Sequence, residues 1–418
     1  MQDNEKNPAL RFKGFTDPWE QRKLDEAFDF TVPNNTLSRA ELNQESGSVR
    51  NVHYGDVLIK YGSVLDVQND ELPFITGRSK DDFKGALLQN GDIIIADTAE
   101  DETTGKVCEI VNIQDKDVVA GLHTMVCRPK NKTAEGYFGY YMNSSSYHHQ
   151  LLPLMQGIKV LSLSKTNVQK TTVKYPKDKA EQQKIADCLR RIDTLITLHQ
   201  RKYEKLVNIK KSMLNKMFPP NGASVPEIRF KGFTDPWEQR KLKELYFQLT
   251  ERNTDLLPYQ KTLSVATMSF KTDGNGAADT SLANYKRLRT GDIAFEGHTS
   301  KEFRYGRFVL NDVGDGIMSP RFSALRPLHE MPINFWKYYI HYEPIMRKVL
   351  VNSTKAGTMM NELVINDFLQ GSILVPSMTE QQAIGRFFKQ LDTLITLHQR
   401  KLEKLQNIKK SCLEKMFV

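Results

Sequence analysis

The chain has 418 residues, a length that exceeds what one hydrophobic core usually supports and that therefore predicts two domains. Hydrophobic residues make up 39% and charged residues 26%, as in ordinary globular proteins, and no apolar run approaches the ~20 residues of a membrane span. The net charge of +9 is compatible with a polyanionic partner without predicting one, and four scattered cysteines with no C-x-x-C pair predict thiols in a reducing cytoplasm.

The first element is a motif that occurs twice. Residues 11–24 read RFKGFTDPWEQRKL, and residues 229–242 repeat this sequence without change at an offset of 218. Such self-similarity predicts an internal duplication. After each copy follows a segment that differs between the halves, at roughly 25–178 and 243–377.

The first variable segment mixes strand-like and turn-like stretches. Residues 56–60 and 92–96 each follow a glycine with an aspartate and an apolar run, so both are predicted as strands. The aromatic stretch 137–141 predicts either an amphipathic helix or a strand. Because the same mixture continues along the segment, we expect an α+β domain.

A long helix is predicted next, beginning near the Glu-Gln-Gln at residues 181–183 and ended by Pro219 and Pro220. Its apolar residues recur in alternating steps of four and three, the heptad seam of a coiled coil. His199 and Lys210 occupy seam positions and interrupt it. The predicted seam residues are Ile185, Leu189, Ile192, Ile196, Tyr203 and Leu206.

The second half repeats this order with a different interior. A strand is predicted at 293–295, a helix or strand at 335–340, and a turn at the Gly-Asn-Gly of residues 274–276. Three short echoes of the first half remain: Gly-Asp-Ile at 91–93 and 291–293, Arg-Pro at 128–129 and 326–327, and glycine at 157 and 357. The closing helix copies the first at 22 of 26 positions, and its predicted seam is Ile384, Phe388, Leu391, Ile395, Leu402 and Leu405.

These elements predict a domain at 1–178, a long helix at 179–218, a second domain at 219–378 and a second long helix at 379–418. A helix of this length spans on the order of 50 Å. Neither helix buries its seam alone, so we expect the two to form an antiparallel coiled coil that separates the domains, with a pseudo-twofold repeat overall. The alternative, a core helix inside each domain, is weaker because about 33 residues of unbroken heptad exceed an ordinary domain helix.

Catalytic motifs are missing from this sequence. It has no Walker A loop, no G-x-G-x-x-G after a strand, no H-E-x-x-H, no G-x-S-x-G and no N-P-P-aromatic tetrad of the amino methyltransferases. Asp92 and Asp292 recur, but an aspartate in a turn before a strand usually caps the chain. We therefore expect neither intrinsic catalysis nor a metal site.

The repeated motif, the Glu-Gln-Gln openings and the unlike interiors together resemble the DNA-specificity subunit of type I restriction-modification enzymes, over essentially the whole chain. The resemblance implies two target recognition domains that read the halves of a bipartite site in double-stranded DNA. It also implies a helical spacer that docks two modification (methyltransferase) subunits, with restriction (ATPase and nuclease) subunits joining them. S-adenosylmethionine, ATP and magnesium would belong to those partners, and none would be bound by this chain.

No motif of this family fixes the residues that contact DNA, so these are chosen on physical grounds. Arginine, lysine, asparagine, glutamine and histidine side chains on polar loops can reach phosphates or base edges. The alternative for each of them is a solvated surface charge. The first domain offers Lys60, Tyr61, Arg78, Lys80, His123, Lys159 and Lys165. The second offers His298, Lys301, Arg304, Tyr305 and Arg307, with Arg321 and Lys355.

Two other functions fit the duplication: a scaffold whose two domains bind proteins, and a DNA-binding regulator that acts without enzyme partners. The genes that flank this one would distinguish them. The bases of each half-site, the spacer length and the stoichiometry of the complex do not follow from the sequence, because loop contacts with DNA obey no simple code.

Overall fold

The computed structural model describes residues 7–220, 223–271 and 279–418; the turn predicted at 274–276 lies outside them. The chain divides into two compact units. Unit 1 contains Met1–His199 together with Lys401–Val418, and unit 2 contains Gln200–Arg400. Each unit therefore includes one part of each long helix.

Unit 1 is an α+β unit of short strands and helices that leads into the first long helix. Its strands are β1 (Glu20–Lys23), β2 (Phe28–Asp29), β3 (Leu42–Asn43), β4 (Val49–Val52), β5 (Val64–Asp66), β6 (Phe74–Ile75), β7 (Ile93–Ala96), β8 (Thr98–Ala99), β9 (Val107–Val111), β10 (Asp117–Ala120), β11 (Thr124–Pro129), β12 (Leu161–Ser162) and β13 (Thr172–Tyr175). Its helices are α1 (Leu24–Ala27), α2 (Tyr54–Ile59), α3 (Tyr137–Met142), α4 (Ser145–His148), α5 (Lys165–Gln169) and the start of α6 (Lys179–Met217).

Unit 2 is built in the same order. Its strands are β14 (Glu238–Lys241), β15 (Tyr246–Gln248), β16 (Leu263–Ser264), β17 (Ser269–Phe270), β18 (Lys286–Leu288), β19 (Ile293–Glu296), β20 (Arg307–Leu310), β21 (Gly316–Met318), β22 (Ala324–Pro327), β23 (Thr354–Lys355), β24 (Glu362–Leu363) and β25 (Ser372–Val375). Its helices are α7 (Ile333–Tyr339), α8 (Glu343–Ser353), α9 (Ile365–Gln370) and most of α10 (Met378–Lys415).

Each unit has a main sheet, and the two main sheets have the same arrangement of four core strands. The strand order is β2-β11-β7-β9-β5 in unit 1 and β15-β22-β19-β20 in unit 2, so β2, β11, β7 and β9 correspond to the four strands of unit 2. The neighbouring strands of this shared core run antiparallel in both units. Unit 1 adds β5, which runs parallel to β9, and a second sheet in the order β10-β4-β6-β3.

Each core is closed by aromatic residues from the C-terminal end of a long helix. In unit 1 the ring centroid of Phe417 lies 5.8 Å from that of Tyr137 and 5.6 Å from that of Tyr141. In unit 2 Phe218 stands in the same relation to Tyr339, at 5.2 Å. The end of α10 thus completes unit 1, and the end of α6 completes unit 2.

An ion pair also joins α6 to α10 within each unit. In unit 2 Lys210 of α6 lies 2.6 Å from Asp392 of α10, and in unit 1 Lys409 of α10 lies 2.6 Å from Asp193 of α6. Just after the end of α6, Phe218 contacts Phe388, which precedes Asp392, so the helix segments in unit 2 run antiparallel. The predicted fold class, α+β with two long helices in antiparallel contact, is confirmed.

Several predicted elements are found where the sequence placed them, and one is wrong. Strands occupy the predicted positions at β7 and β19, and the two aromatic stretches are the helices α3 and α7. The strand predicted at residues 56–60 is instead part of α2. His53 caps this helix by accepting a hydrogen bond from the amide of Gly55, and an aspartate in its first turn, Asp56, pairs with Arg39. A short apolar run does not distinguish a strand from a helical turn, and the cap decides.

Candidate nucleic-acid interface

The twice-repeated motif is fastened to the start of each long helix by a buried ion pair. Arg11 donates two hydrogen bonds to Glu181, at 2.7 and 2.9 Å, and Arg229 donates two to Glu380, both at 2.7 Å. The glutamates are the first residues of the two Glu-Gln-Gln sequences, and both are 1% exposed. The side-chain hydrogen bond to glutamate raises the pKa of each arginine. This ion pair therefore joins the repeated motif to the start of the long helix, which explains why the two sequences recur together. We call it the Arg-Glu fastening.

The Gly-Asp and Arg-Pro echoes also form one interaction in each unit. Arg128 donates to both carboxylate oxygens of Asp92, at 2.8 and 2.7 Å, and Arg326 does the same to Asp292, at 2.9 and 2.8 Å. One carboxylate oxygen of each aspartate also accepts a backbone amide hydrogen bond within its own turn. These aspartates hold the turn before β7 or β19, as the sequence indicated, and are committed to arginine rather than free to act as bases.

Beyond these turns, the ends of β7 and β19 lead into loops beside a β-hairpin in each unit. Hairpin 1 comprises residues 156–162, and its strand β12 pairs with β8, just after β7. Hairpin 2 comprises residues 354–363, formed by β23 and β24. The amide of Asn361 in hairpin 2 donates to the carbonyl of Gly297, just after β19, at 2.9 Å. The shared frame therefore presents a loop and a hairpin together in both units.

In unit 2 the structure brings several predicted DNA-binding residues together around hairpin 2. The amide of the Asn361 side chain donates to the Arg304 carbonyl at 3.3 Å, and Arg321 donates to the sulfur of Met359 at 3.4 Å. Five exposed basic residues among those predicted lie on the loop after β19, the loop before β22 or hairpin 2: His298, Lys301, Arg304, Arg321 and Lys355. We call these five residues the basic cluster.

Two other predicted residues of unit 2 are less accessible. Arg307 lies 4.9 Å over the Phe303 ring and donates to the carbonyl of Ala266 at 3.2 Å, and Tyr305 is half-buried beneath Arg304. His298 also has a close partner, since its Nδ1 lies 2.5 Å from a carboxylate oxygen of Glu296. Side chains held in this way are oriented before any ligand arrives.

In unit 1 the predicted DNA-binding residues contact separate parts of the unit. Lys60 and Tyr61 both bond the carbonyl of Glu71, Arg78 lies 3.9 Å from Asp82, and His123 lies 3.4 Å from Asp97. Lys165 donates to the carbonyl of Phe30. Lys80 is exposed in a short helical turn, and Lys159 is exposed at the tip of hairpin 1. Tyr61 is only 4% exposed and belongs to a core cluster, so its ring offers no surface to DNA.

Two features of this surface were missed at the sequence level. The loop beside hairpin 1 carries three exposed acidic residues, Glu100, Asp101 and Glu102, where unit 2 carries cations. The loop touches the hairpin through Thr104, whose hydroxyl donates to the Leu161 carbonyl at 3.4 Å. Each hairpin tip also exposes an apolar side chain, Ile158 or Met359. The acidic run is visible in the sequence, whereas the exposed tips are not.

Within 7–220, 223–271 and 279–418, no group of three or more His, Cys, Asp or Glu side chains is arranged to hold a metal ion. No helix in this described part of the chain is both long and apolar enough to cross a membrane.

Comparisons with known proteins agree with the architecture. The family model described as type I restriction modification DNA specificity domain matches residues 16–208 and again 235–407. A protein of Methanocaldococcus jannaschii, assigned as the specificity subunit of the type I restriction enzyme MjaX, is 21% identical over 94% of this chain and 91% of its own length. A crystal structure of a type I restriction-modification S subunit from M. genitalium superposes with a TM-score of 0.60 at 13% identity, covering 99% of both chains. The HsdS subunit of Thermoanaerobacter tengcongensis gives 0.45 at 16% identity, covering 96% of both chains.

Proposed function

The chain belongs to the type I restriction modification DNA specificity family, and from that premise we propose that each of its units reads one half of a bipartite DNA site. The chain would direct adenine methylation and ATP-dependent cleavage by partner subunits while catalysing neither reaction itself. The cytoplasm, where those partners and the DNA meet, would be its compartment.

The observation that carries this proposal is that one repeated frame holds loops of opposite charge in the two units. The Arg-Glu fastening and the Asp-Arg turn recur with distances that agree within about 0.2 Å, as would be expected if the frame only positions loops. The loops at the same edge are acidic in unit 1 and basic in unit 2. Phosphate contacts position a protein on DNA and base contacts specify the sequence, so unlike loops on a common frame suit two unlike half-sites.

Partner docking is supported by leucines on the two long helices. Leu195 and Leu198 of α6 are 43% and 44% exposed, and their copies Leu394 and Leu397 of α10 are 42% and 44% exposed. Four exposed leucines at repeated positions suit two copies of one apolar partner surface. We propose that two modification subunits dock here and that restriction subunits join them, with S-adenosylmethionine, ATP and Mg²⁺ bound by those partners.

Co-expression with the neighbouring modification gene, followed by methylome sequencing, tests the proposal. The expected result is a stable complex and one methylated motif made of two short half-sites and an unread spacer. If a complex forms without any methylated motif, the chain acts as a scaffold. If the chain binds DNA but no modification subunit, it acts as a regulator. Either outcome overturns the proposal.

A second experiment tests the helical spacer. Inserting one heptad at equivalent positions of α6 and α10, after His199 and after His398, should change the spacer length and leave both half-sites unchanged. Both helices are changed together because each unit uses a part of each helix. Altered half-sites with an unchanged spacer would contradict the assignment of the helices as the spacer.

A further inference from the structure

Each hairpin holds an apolar side chain out into solvent at its tip. Ile158 in hairpin 1 is 100% exposed and Met359 in hairpin 2 is 70% exposed. Single exposed apolar residues are common on protein surfaces and carry no meaning alone. Here, however, each stands within two residues of the glycine at which its hairpin turns, in loops that otherwise differ in sequence and charge.

Both tips are closed tightly in the same way. A Cβ atom on Gly157 would lie 1.9 Å from the carbonyl oxygen of Val160, and one on Gly357 would lie 2.3 Å from that of Met360. In each hairpin the chain therefore folds back on a glycine that no other residue can replace without a shift of the backbone. This explains the third echo between the halves and shows that the tip geometry is a repeated feature.

The hairpins are also anchored at their bases. Gln156 and Ser162 exchange two backbone hydrogen bonds, at 2.9 and 2.8 Å, below the tip of hairpin 1. Hairpin 2 is held by its bonds from Asn361 to Gly297 and Arg304. A tip that is already ordered loses less conformational entropy when it binds a partner.

The charges beside the tips indicate which partner they meet. Hairpin 2 is flanked by Arg304, Arg321 and Lys355, and the tip of hairpin 1 carries Lys159 next to Ile158. An apolar tip among cations suits a polyanion that has apolar groups between its charged strands, as duplex DNA does in its grooves. The acidic loop beside hairpin 1 fits the same surface, because carboxylates accept hydrogen bonds from the cytosine amino group.

Resting on the proposed function, we propose that each hairpin enters the major groove of its half-site and packs Ile158 or Met359 against the C5-methyl group of a thymine. The major groove is about 12 Å wide and admits a two-stranded β-ribbon. Thymine is the base that presents a methyl group there. Ile158 and Met359 are thus specificity-determining residues that read A·T pairs without a hydrogen bond.

Deoxyuridine, which lacks only that methyl group, tests the contact directly. The complex of the full chain with its co-expressed modification subunits is titrated with fluorescent duplexes of the methylated motif, in which each thymine is replaced in turn. In the wild type, one replacement in each half-site should weaken binding about fourfold, the effect of one buried methyl group. Ile158→Ala should abolish the thymine-uracil difference in one half-site only, and Met359→Ala in the other only.

Each variant is the matched control for the other, and an unchanged melting temperature confirms that the exposed tips have not affected folding. The proposal is overturned if the variants keep the thymine-uracil difference, if no thymine is sensitive, or if the half-sites lack A·T pairs. It is also overturned if Ile158→Ala or Met359→Ala releases the modification subunit, because the tips then bind protein. Failure of the proposed function looks different: the wild-type complex would have no preferred motif.

Discussion

At the strand position that pairs with Ile93, unit 1 has Glu109, whereas unit 2 has Leu310 at the position that pairs with Ile293. Glu109 is 1% exposed and accepts backbone hydrogen bonds from Gly136 and Gly139, at 2.7 and 2.9 Å, at the start of α3. Leu310 is 3% exposed and packs in an apolar core. One strand position therefore accepts a buried carboxylate or a leucine, while the ion pairs that fasten the frame stay the same. The ion pairs of the frame therefore recur even where a buried core position differs between the units.

Breaking the fastenings should have the largest effect and should test how alike the units are. Glu181→Ala and Glu380→Ala each leave a largely buried arginine without its carboxylate, which we expect to destabilise the respective unit by about 3 kcal/mol. The loss should be larger in unit 1, because Trp19 Nε1 lies 3.3 Å from Glu181 and loses its acceptor too, whereas Trp237 Nε1 is buried with no hydrogen-bond partner among the described residues.

Urea unfolding followed by hydrogen exchange in α3 and α7 measures the two losses. Glu244→Ala is the matched control, because it removes the exposed pair with Arg240 and should cost less than about 0.5 kcal/mol. Equal and small losses for Glu181, Glu380 and Glu244 would show that the fastenings are not what holds the frame.

The buried carboxylate of Glu109 should make the stability of unit 1 depend on pH. The matching Leu310 in unit 2 does not titrate and should add no such dependence. Burial raises the pKa of Glu109 to about 7 from an ordinary value of 4.5. Because the folded-state pKa is the higher one, the protonated form stabilises unit 1 at low pH. That contribution is lost as pH rises from about 4.5 to about 7, at no more than about 1.4 kcal/mol per pH unit.

Glu109→Gln mimics the protonated acid and should remove this pH dependence from unit 1. The measurement is the difference in unfolding free energy between variant and wild type at pH 5, 6, 7 and 8. We expect the unfolding free energy of the variant to rise relative to that of the wild type as the pH increases to 7. Above pH 7 the difference should stay constant. A difference that is constant across this range would mean that Glu109 stays ionised in the folded state, held by its two amide donors.

Lys210 and Lys409 each pair with an aspartate on the long helix of the other repeat. Removing either lysine should show that each unit depends on a helix segment from the other repeat. Lys210→Ala should destabilise unit 2 and Lys409→Ala should destabilise unit 1, each by about 1 kcal/mol because both pairs are partly exposed. Hydrogen exchange should therefore quicken in α7 for the first variant and in α3 for the second. Quicker exchange in α3 after Lys210→Ala would contradict this exchange of contacts.

The smallest effect concerns the charges beside the hairpins and rests on the proposed function. Arg304→Gln should reduce the slope of log affinity against log salt by about 0.9, the contribution of one phosphate contact. Glu102→Gln in unit 1 should instead leave the slope unchanged, because a carboxylate that faces the bases makes no phosphate contact. An unchanged slope for Arg304→Gln would place its loop away from the DNA.

The fold was predictable where a pattern had a physical cause within a few residues. Heptad spacing and paired prolines gave the long helices, and the glycine-aspartate turns located β7 and β19. The strand predicted at 56–60 was wrong because a histidine cap outside the run decided its structure. The candidate site was less predictable. The basic cluster assembles from three separate segments, and burial of Tyr61 depends on a core that no local pattern describes.

The shared helices also reverse the order in which the units can finish folding. Unit 2 is closed by Met217 and Phe218, which precede its sheet in the chain, so its core can form once the part of α10 up to Arg400 has emerged. Unit 1 is closed by Met416 and Phe417, which the ribosome adds only after the whole of unit 2. The half of the protein that is made first is therefore completed last. During synthesis, its aromatic core around Tyr137 and Tyr141 therefore stays exposed until Phe417 has been added.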